Sequence, residues 1–183
     1  LDYFKALEYL NKHSKLPKVL LFLGSNVGNF RPSVRAEVLQ GITDHLQTGD
    51  KFLMGVDIKK HPDKILSAYN DKAGITAAFN FNILHRINET FNANFDLDRF
   101  FHYPNYDPLS GEARSYLVAT EAMRVQIEET TVEFEPYEPI HTEISKKFSE
   151  NEINNMANTF GFTVLNHFYD ENHYFLDTLW KKE

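Results

Sequence analysis

Apolar and polar positions alternate in blocks along the chain. Residues 19–23 (VLLFL) are apolar without a break, and the polar, glycine-bearing stretch Gly24-Ser25-Asn26-Val27-Gly28-Asn29 follows at once. A short unbroken apolar run predicts a strand buried on both faces, as in a parallel sheet covered by helices. Lys51–Asp57 (KFLMGVD) reads as a second strand, with Phe52, Leu53, Met54 and Val56 inside and Asp57 at its carboxyl end. Between the two, Pro32 suits a first helical turn, and Val34, Val38, Ile42 and Leu46 recur at helical spacing. Strand, helix, strand in that order predicts a right-handed parallel crossover. Ahead of it, Leu1, Phe4, Leu7 and Leu10 predict a helix that runs to His13.

Beyond Asp57 the pattern predicts a short helix from Pro62 to Tyr69, with Ile65 and Leu66 inside. A longer helix follows Gly74, with Ile75, Phe79, Ile83, Ile87 and Phe91 as its inward stripe. The period changes near Phe101. Tyr103–Tyr106, Tyr116–Ala119, Met123–Ile127 and Val132–Phe134 alternate with period two and predict antiparallel strands, with a hairpin loop at 107–111. Helix returns at Ser149, which forms a capping box with Glu152. Ile153, Met156, Ala157 and Phe160 face inward, and Gly161 stops the helix. Phe162–Tyr169 and His173–Trp180 then read as a closing hairpin, which makes the sheet mixed. The fold class is therefore α/β, in three stretches: 1–71, an inserted α+β subdomain at 72–145, and a return at 146–183.

Composition narrows the picture. A chain of 183 residues suits one domain, or one domain with a substantial insertion. The formal net charge of −7 argues against general binding to nucleic acid or to an anionic membrane. The absence of cysteine excludes disulfides and thiolate metal sites and fits a cytoplasmic location. No apolar run approaches the roughly 20 residues that span a bilayer, and no signal-peptide pattern opens the chain. The chain starts at Leu1, without methionine, directly before a helix, and reads as a cut piece of a longer protein.

Three places could carry chemistry. The Gly24–Asn29 loop follows a strand, where ligands sit in open α/β sheets. It lacks the Lys-Ser or Lys-Thr of a phosphate loop and is not a dinucleotide fingerprint, so a plain glycine turn is an equal alternative. Glu143 and Ser145 lie two apart in Ile140-His141-Thr142-Glu143-Ile144-Ser145 and share a side if that segment is extended. A carboxylate and a hydroxyl together match the two nitrogens of an imidazole, though a solvated strand edge has the same look. Tyr69, before Asn70-Asp71, could bond a ligand carboxylate or amine, or simply pack. The eight histidines show no metal-ligand spacing, and the sequon at Asn88 falls inside an expected helix.

Five segments, taken together, resemble the histidine-specific methyltransferases, S-adenosylmethionine enzymes that trimethylate the α-amino group of histidine in ergothioneine synthesis. They are FLGSNVGNF, GDKFLMGVDIKKHPDKILSAYND, AGITAAFNFNILHRIN, FDLDRFFH and IHTEISKKF, in that order along nearly the whole chain. The resemblance implies the carboxyl-terminal half of a class I, Rossmann-like methyltransferase core, with a substrate-binding subdomain inserted after the second strand. It also implies substrate contacts at Asn29, Tyr69, Glu143 and Ser145, the last two gripping the imidazole. Gly24 and Ser25 are the residues expected beside the cofactor.

The family's main cofactor loop and the acid that ends its next strand are absent from this sequence. The resemblance therefore implies a chain that is inactive alone, with an unpaired apolar edge at 18–23 open to self-association. An enzyme of the same fold with another amine substrate, or a non-catalytic binding module, are the other two expectations.

Overall fold

The computed structural model describes residues 3–183. Leu1, the first residue of the expected helical stripe, lies outside the described residues. The chain divides into two units, one made of residues 1–59 and 146–183 and the other of residues 60–145.

Unit 1 is built on a four-stranded sheet. In chain order its elements are α1 (Tyr3–His13), β1 (Val19–Phe22), a 3₁₀ turn (Asn26–Asn29), α2 (Pro32–His45) and β2 (Lys51–Asp57). After unit 2 come α5 (Glu150–Thr159), β8 (Phe162–Tyr169) and β9 (Phe175–Lys182). The strand order is β1-β2-β9-β8. β1 and β2 pair in parallel, as the strand-helix-strand pattern requires, and β9 lies antiparallel to both β2 and β8. The mixed sheet expected from the closing hairpin is thus present. Its core is aromatic: Trp180 sits 5.5 Å from Phe52 and 5.6 Å from Phe162, centroid to centroid. The indole N–H donates to the Thr178 hydroxyl at 2.6 Å, so a fully buried tryptophan leaves no polar atom unmatched.

Two expectations fail in this unit. β1 is not buried on both faces: Val19, Leu21 and Leu23 are about half exposed. β1 pairs only with β2 among the described residues, so it is an edge strand, and the Tyr3 hydroxyl donates to its Leu21 carbonyl at 3.0 Å. In α2 the expected stripe holds at Val38 and Ile42, with Leu46 buried just past the helix end, but Val34 is exposed and Arg35 and Leu39 join the inward face. Arg35 lies over the Phe148 ring at 5.2 Å and covers apolar surface with its stem.

Unit 2 contains α3 (Pro62–Tyr69), α4 (Ile75–Phe91), β3 (Phe100–Asp107), β4 (Glu112–Ala119), β5 (Met123–Ile127), β6 (Thr130–Phe134) and β7 (Pro139–Lys146, its last residue in unit 1). One sheet has the order β3-β4-β7, and β5 and β6 form a hairpin. Phe95, Phe100 and Phe134 pack with centroids 5.6–6.2 Å apart at the centre of the unit's core. The first boundary falls at 59/60 rather than at 71/72, because α3 packs on β3, β4 and α4. The helix after Gly74 exists, but its stripe is rotated from the expected one. Asn80 and Leu84 are buried, whereas Ile75, Phe79 and Phe91 are exposed.

The chain leaves unit 1 at residue 59 and returns at 146, and the two segments run side by side. Ile58 bridges Phe148 in parallel, the Phe148 N–H donates to Asp57 O at 3.0 Å, and Lys59 N–H donates to Phe148 O at 2.9 Å. The Lys147 ammonium meets the Asp57 carboxylate at 2.8 Å. An insertion needs its two ends held together, and these bonds do it.

Candidate active site

In unit 1 the polar loop leaves the carboxyl end of β1. Gly24 and Ser25 both take left-handed backbone, at φ 84 and 59. Glycine adopts this freely; serine does so at a cost and needs support. Support comes from the Ser25 hydroxyl, which accepts from the Asp57 N–H at 2.9 Å and ties the loop to the end of β2. The turn then closes with the Gly28 N–H donating to Ser25 O at 3.0 Å. Gly28 is buried against the backbone of Lys146: a Cβ there would lie 2.5 Å from the Lys146 carbonyl oxygen. Asn29 follows Gly28 and is exposed, and Lys146 is the residue after Ser145.

In unit 2, β7 carries Glu143, half-buried, and Ser145, buried. The segment is extended, so the condition on their spacing is met. The Ser115 hydroxyl on β4 donates to Glu143 Oε2 at 3.4 Å. The β3–β4 register sets His102 opposite Leu117 and Pro104 opposite Ser115. His102 and Ser115 therefore share a face of the sheet with Leu117 and Ala119, which pack with Leu84 of α4. Burial pushes the His102 imidazole below its usual pKa, against the Glu143 and Asp71 carboxylates, which pull it up.

Tyr69 ends α3 and is half-buried. Two residues on, Asp71 accepts from the N–H groups of Ile75 and Thr76 at 2.9 and 2.8 Å and caps α4. The backbone donors of Thr76 and Ile75 hold the Asp71 carboxyl down at a pKa of about 2. Unit 2 thus brings Glu143, Ser115, His102 and Asp71 into one polar neighbourhood. Asn29 belongs to unit 1.

Sequence reasoning passed over His102 and Asn80, each flanked by aromatic residues, and noted Ser115 only within Arg114-Ser115-Tyr116, without a role; strand register and helix rotation reveal their partners. The sequon residue Asn88 is occupied structurally: its amide donates to Phe95 O and accepts from Phe95 N–H, both at 2.8 Å. No helix among the described residues is long and apolar enough to cross a membrane.

A family model described as histidine-specific, S-adenosylmethionine-dependent methyltransferase matches residues 1–182. The chain belongs to this family. Two relatives fix its place among the histidine-specific methyltransferases. A "Histidine N-alpha-methyltransferase" of Mycolicibacterium smegmatis is 38% identical over 143 residues, which is 76% of this chain and 44% of that protein. "Ergothioneine biosynthesis protein 1" of Neurospora crassa is 33% identical over 183 residues, 98% of this chain and 20% of that protein. The chain spans less than half the length of either. A solved S-adenosylmethionine-dependent methyltransferase from Clostridium acetobutylicum aligns with 92% of this chain and 60% of its own, at 11% identity and a TM-score of 0.45, too slight a likeness to bear on the site.

Proposed function

We propose that the protein methylates the α-amino group of histidine with S-adenosylmethionine as donor, and that this chain supplies most of the grip on the amino acid. Membership of the histidine-specific family supports the reading. The observation that carries it is the half-buried Glu143 carboxylate, met by the Ser115 hydroxyl, with the buried Ser145 hydroxyl two positions on. An ionised carboxylate only accepts, so a ring N–H of imidazole is a natural partner. A hydroxyl donates or accepts and serves the other ring nitrogen. In this reading Asn29 and Tyr69 take the amino and carboxylate end of the substrate. Glu143 sets a distance and performs no proton transfer. The residues together hold a neutral amine with its lone pair aimed at the methyl carbon, at roughly 3–3.5 Å, which is mainly an orientation effect.

S-adenosylmethionine, when bound, supplies a methyl group carried on a sulfonium. Gly24 and Ser25 fit a position beside it. Gly24 is exposed, and a Cβ there would meet nothing nearer than Asn26 Nδ2 at 3.5 Å, so its backbone is open to close approach. The Ser25 hydroxyl accepts from Asp57 and keeps its own proton to donate. In this reading the main cofactor loop lies outside these residues, and the chain alone is inactive. The outer edge of β1, with exposed Val19 and Leu21 and with its Leu21 carbonyl met by the Tyr3 hydroxyl, is in this reading the surface through which it self-associates.

Calorimetric titration of histidine into the full-length protein tests the assignment. Glu143→Ala removes charge-assisted bonds and weakens binding by about 10- to 100-fold. An unchanged dissociation constant refutes it. Tighter binding of another amino acid than of histidine moves the substrate assignment to that amine.

A further inference from the structure

A chain of hydrogen bonds in unit 2 connects the turn after Tyr69 to the carboxylate of Glu143. It begins at Asp71, which accepts from the N–H groups of Ile75 and Thr76. The Thr76 carbonyl accepts from the Asn80 side-chain amide at 3.0 Å. Asn80 Oδ1 faces the Thr142 hydroxyl at 2.5 Å, and the same hydroxyl lies 3.0 Å from the Ser115 carbonyl. Ser115 then donates from its side chain to Glu143. Asn80 and Ser115 are wholly buried.

Asn80 is costly where it stands. It lies one turn before Leu84 on the inward face of α4, where an apolar side chain would gain transfer free energy. A buried amide is tolerated only when its donors and acceptors are matched. Asn80 matches them to its own helix on one side and to the strand that carries Glu143 on the other. An apolar residue would fill the space without fixing any direction. The amide specifies where β7 stands against α4. Thr142 adjoins Glu143, so a pinned Thr142 hydroxyl fixes the backbone from which Glu143 projects. Ser115 meets the carboxylate at its far end through a long bond of 3.4 Å.

We propose that Asn80 is a positioning residue for recognition of the substrate ring, acting on Glu143 through Thr142 and Ser115. The inference rests on the reading of Glu143 as the ring-binding residue, and it adds a second line of support that the four contact residues lack. The Asp71 end of the same chain anchors the turn next to Tyr69. One network, buried at Asn80 and Ser115 and partly open to solvent at Asp71, therefore runs between the ring end and the opposite end of the grip in unit 2.

The test compares four single variants of the full-length protein by histidine titration and by thermal melting. Thr142→Val is nearly isosteric, removes the shared donor, and raises the histidine dissociation constant about tenfold. Asn80→Ala raises it by about 10- to 100-fold, the scale of a misplaced contact. Leu84→Ala, on the same face of the same helix, lowers the melting temperature and leaves affinity unchanged. Ser115→Ala weakens binding, and combined with Asn80→Ala gives less than the product of the two losses, because both act on one carboxylate.

A readout that needs no ligand runs beside this: the Glu143 carboxyl carbon resonance shifts in Thr142→Val and Asn80→Ala and stays in place in Leu84→Ala. The proposal is overturned if Thr142→Val and Asn80→Ala move neither affinity nor that resonance. It is also overturned if affinity falls only in step with melting temperature across all variants. If Glu143→Ala alone proves silent in binding, the functional reading fails first, and the resonance still decides whether Asn80 orients Glu143.

Discussion

Gly28→Ala is the sharpest perturbation available. Gly28 does not have a positive φ, so its backbone would accept alanine; the obstacle is space alone. The new Cβ would stand 2.5 Å from the Lys146 carbonyl oxygen and 3.3 Å from its nitrogen. A carbon approaches a carbonyl oxygen comfortably at about 3.3 Å, so the turn or β7 must retreat by roughly 0.8 Å. Neither yields easily. The turn is pinned by Ser25 to the end of β2, and Lys146 is held by its ion pair with Glu152 at 2.8 Å. Overpacking of this kind costs about 1–3 kcal/mol, which lowers the melting temperature by roughly 2–12 °C for a chain of this size.

The same retreat moves Asn29 and Ser145, each one residue from the contact, so under the proposed assignment histidine binding weakens as well. Calorimetric melting and titration of the full-length variant read both effects. Gly49→Ala is the control: φ is +91 and nothing lies within 4 Å, so alanine there meets backbone strain without a clash and leaves affinity alone. A Gly28→Ala protein with the parent's melting temperature would refute the packing argument. A destabilised one with unchanged affinity would separate the turn from the ligand.

Further outcomes follow from other sites. Asp50 is nearly buried, accepts from the Lys18 and Gln47 N–H groups at 2.8 and 2.9 Å, and pairs with the Lys18 ammonium at 2.9 Å; Asp50→Ala strands that charge and costs about 3–5 kcal/mol in denaturant melts. Burial raises the Asp50 carboxyl, but bonds from Lys18 and Gln47 outweigh it and hold the pKa below the usual value. Its stabilisation is complete above the unfolded carboxylate pKa and is lost as pH falls through the folded one, so Asp50→Asn flattens the acid limb of a stability–pH curve. His102 has the same sign: its folded pKa is below 6.5, so the unfolded chain takes the proton first and stability falls as pH drops from 6.5. His102→Asn removes that fall, and an unchanged curve contradicts the assignment. Leu21→Lys on the outer edge of β1 abolishes concentration-dependent mass in light scattering of the chain. A parent chain that stays monomeric at every concentration sinks the edge argument.

Periodicity and punctuation were enough to find most elements. β2, α3, β5 and β8 have the bounds read from the apolar runs, and the Ser149–Glu152 capping box forms as its spacing implies. These features depend on neighbours a few residues apart, and local chemistry encodes them. Helix rotation was less legible. Ile75, Phe79 and Phe91 make a plausible apolar stripe, yet α4 buries Asn80 and Leu84, because Thr76 of its own helix and Thr142 of β7 satisfy the amide. The exposed face of β1 was misread for a related reason: an apolar run states what a strand prefers to bury, and only the sheet order states what is there to bury it.

The sequence alone determined the α/β class, the order of elements and the residues Asn29, Tyr69, Glu143 and Ser145 as candidates, because motif text and residue type are local properties. Tertiary structure alone decided that Glu143 is met by Ser115 and neighboured by His102, that Gly28 is wedged against Lys146, and that a buried amide connects α4 to β7. Those partners lie between 28 and 118 residues apart in the chain. No local pattern carries such a pairing. It exists only when strand register and helix rotation bring two polar groups out of water together, where leaving either unmatched would cost more than making the bond.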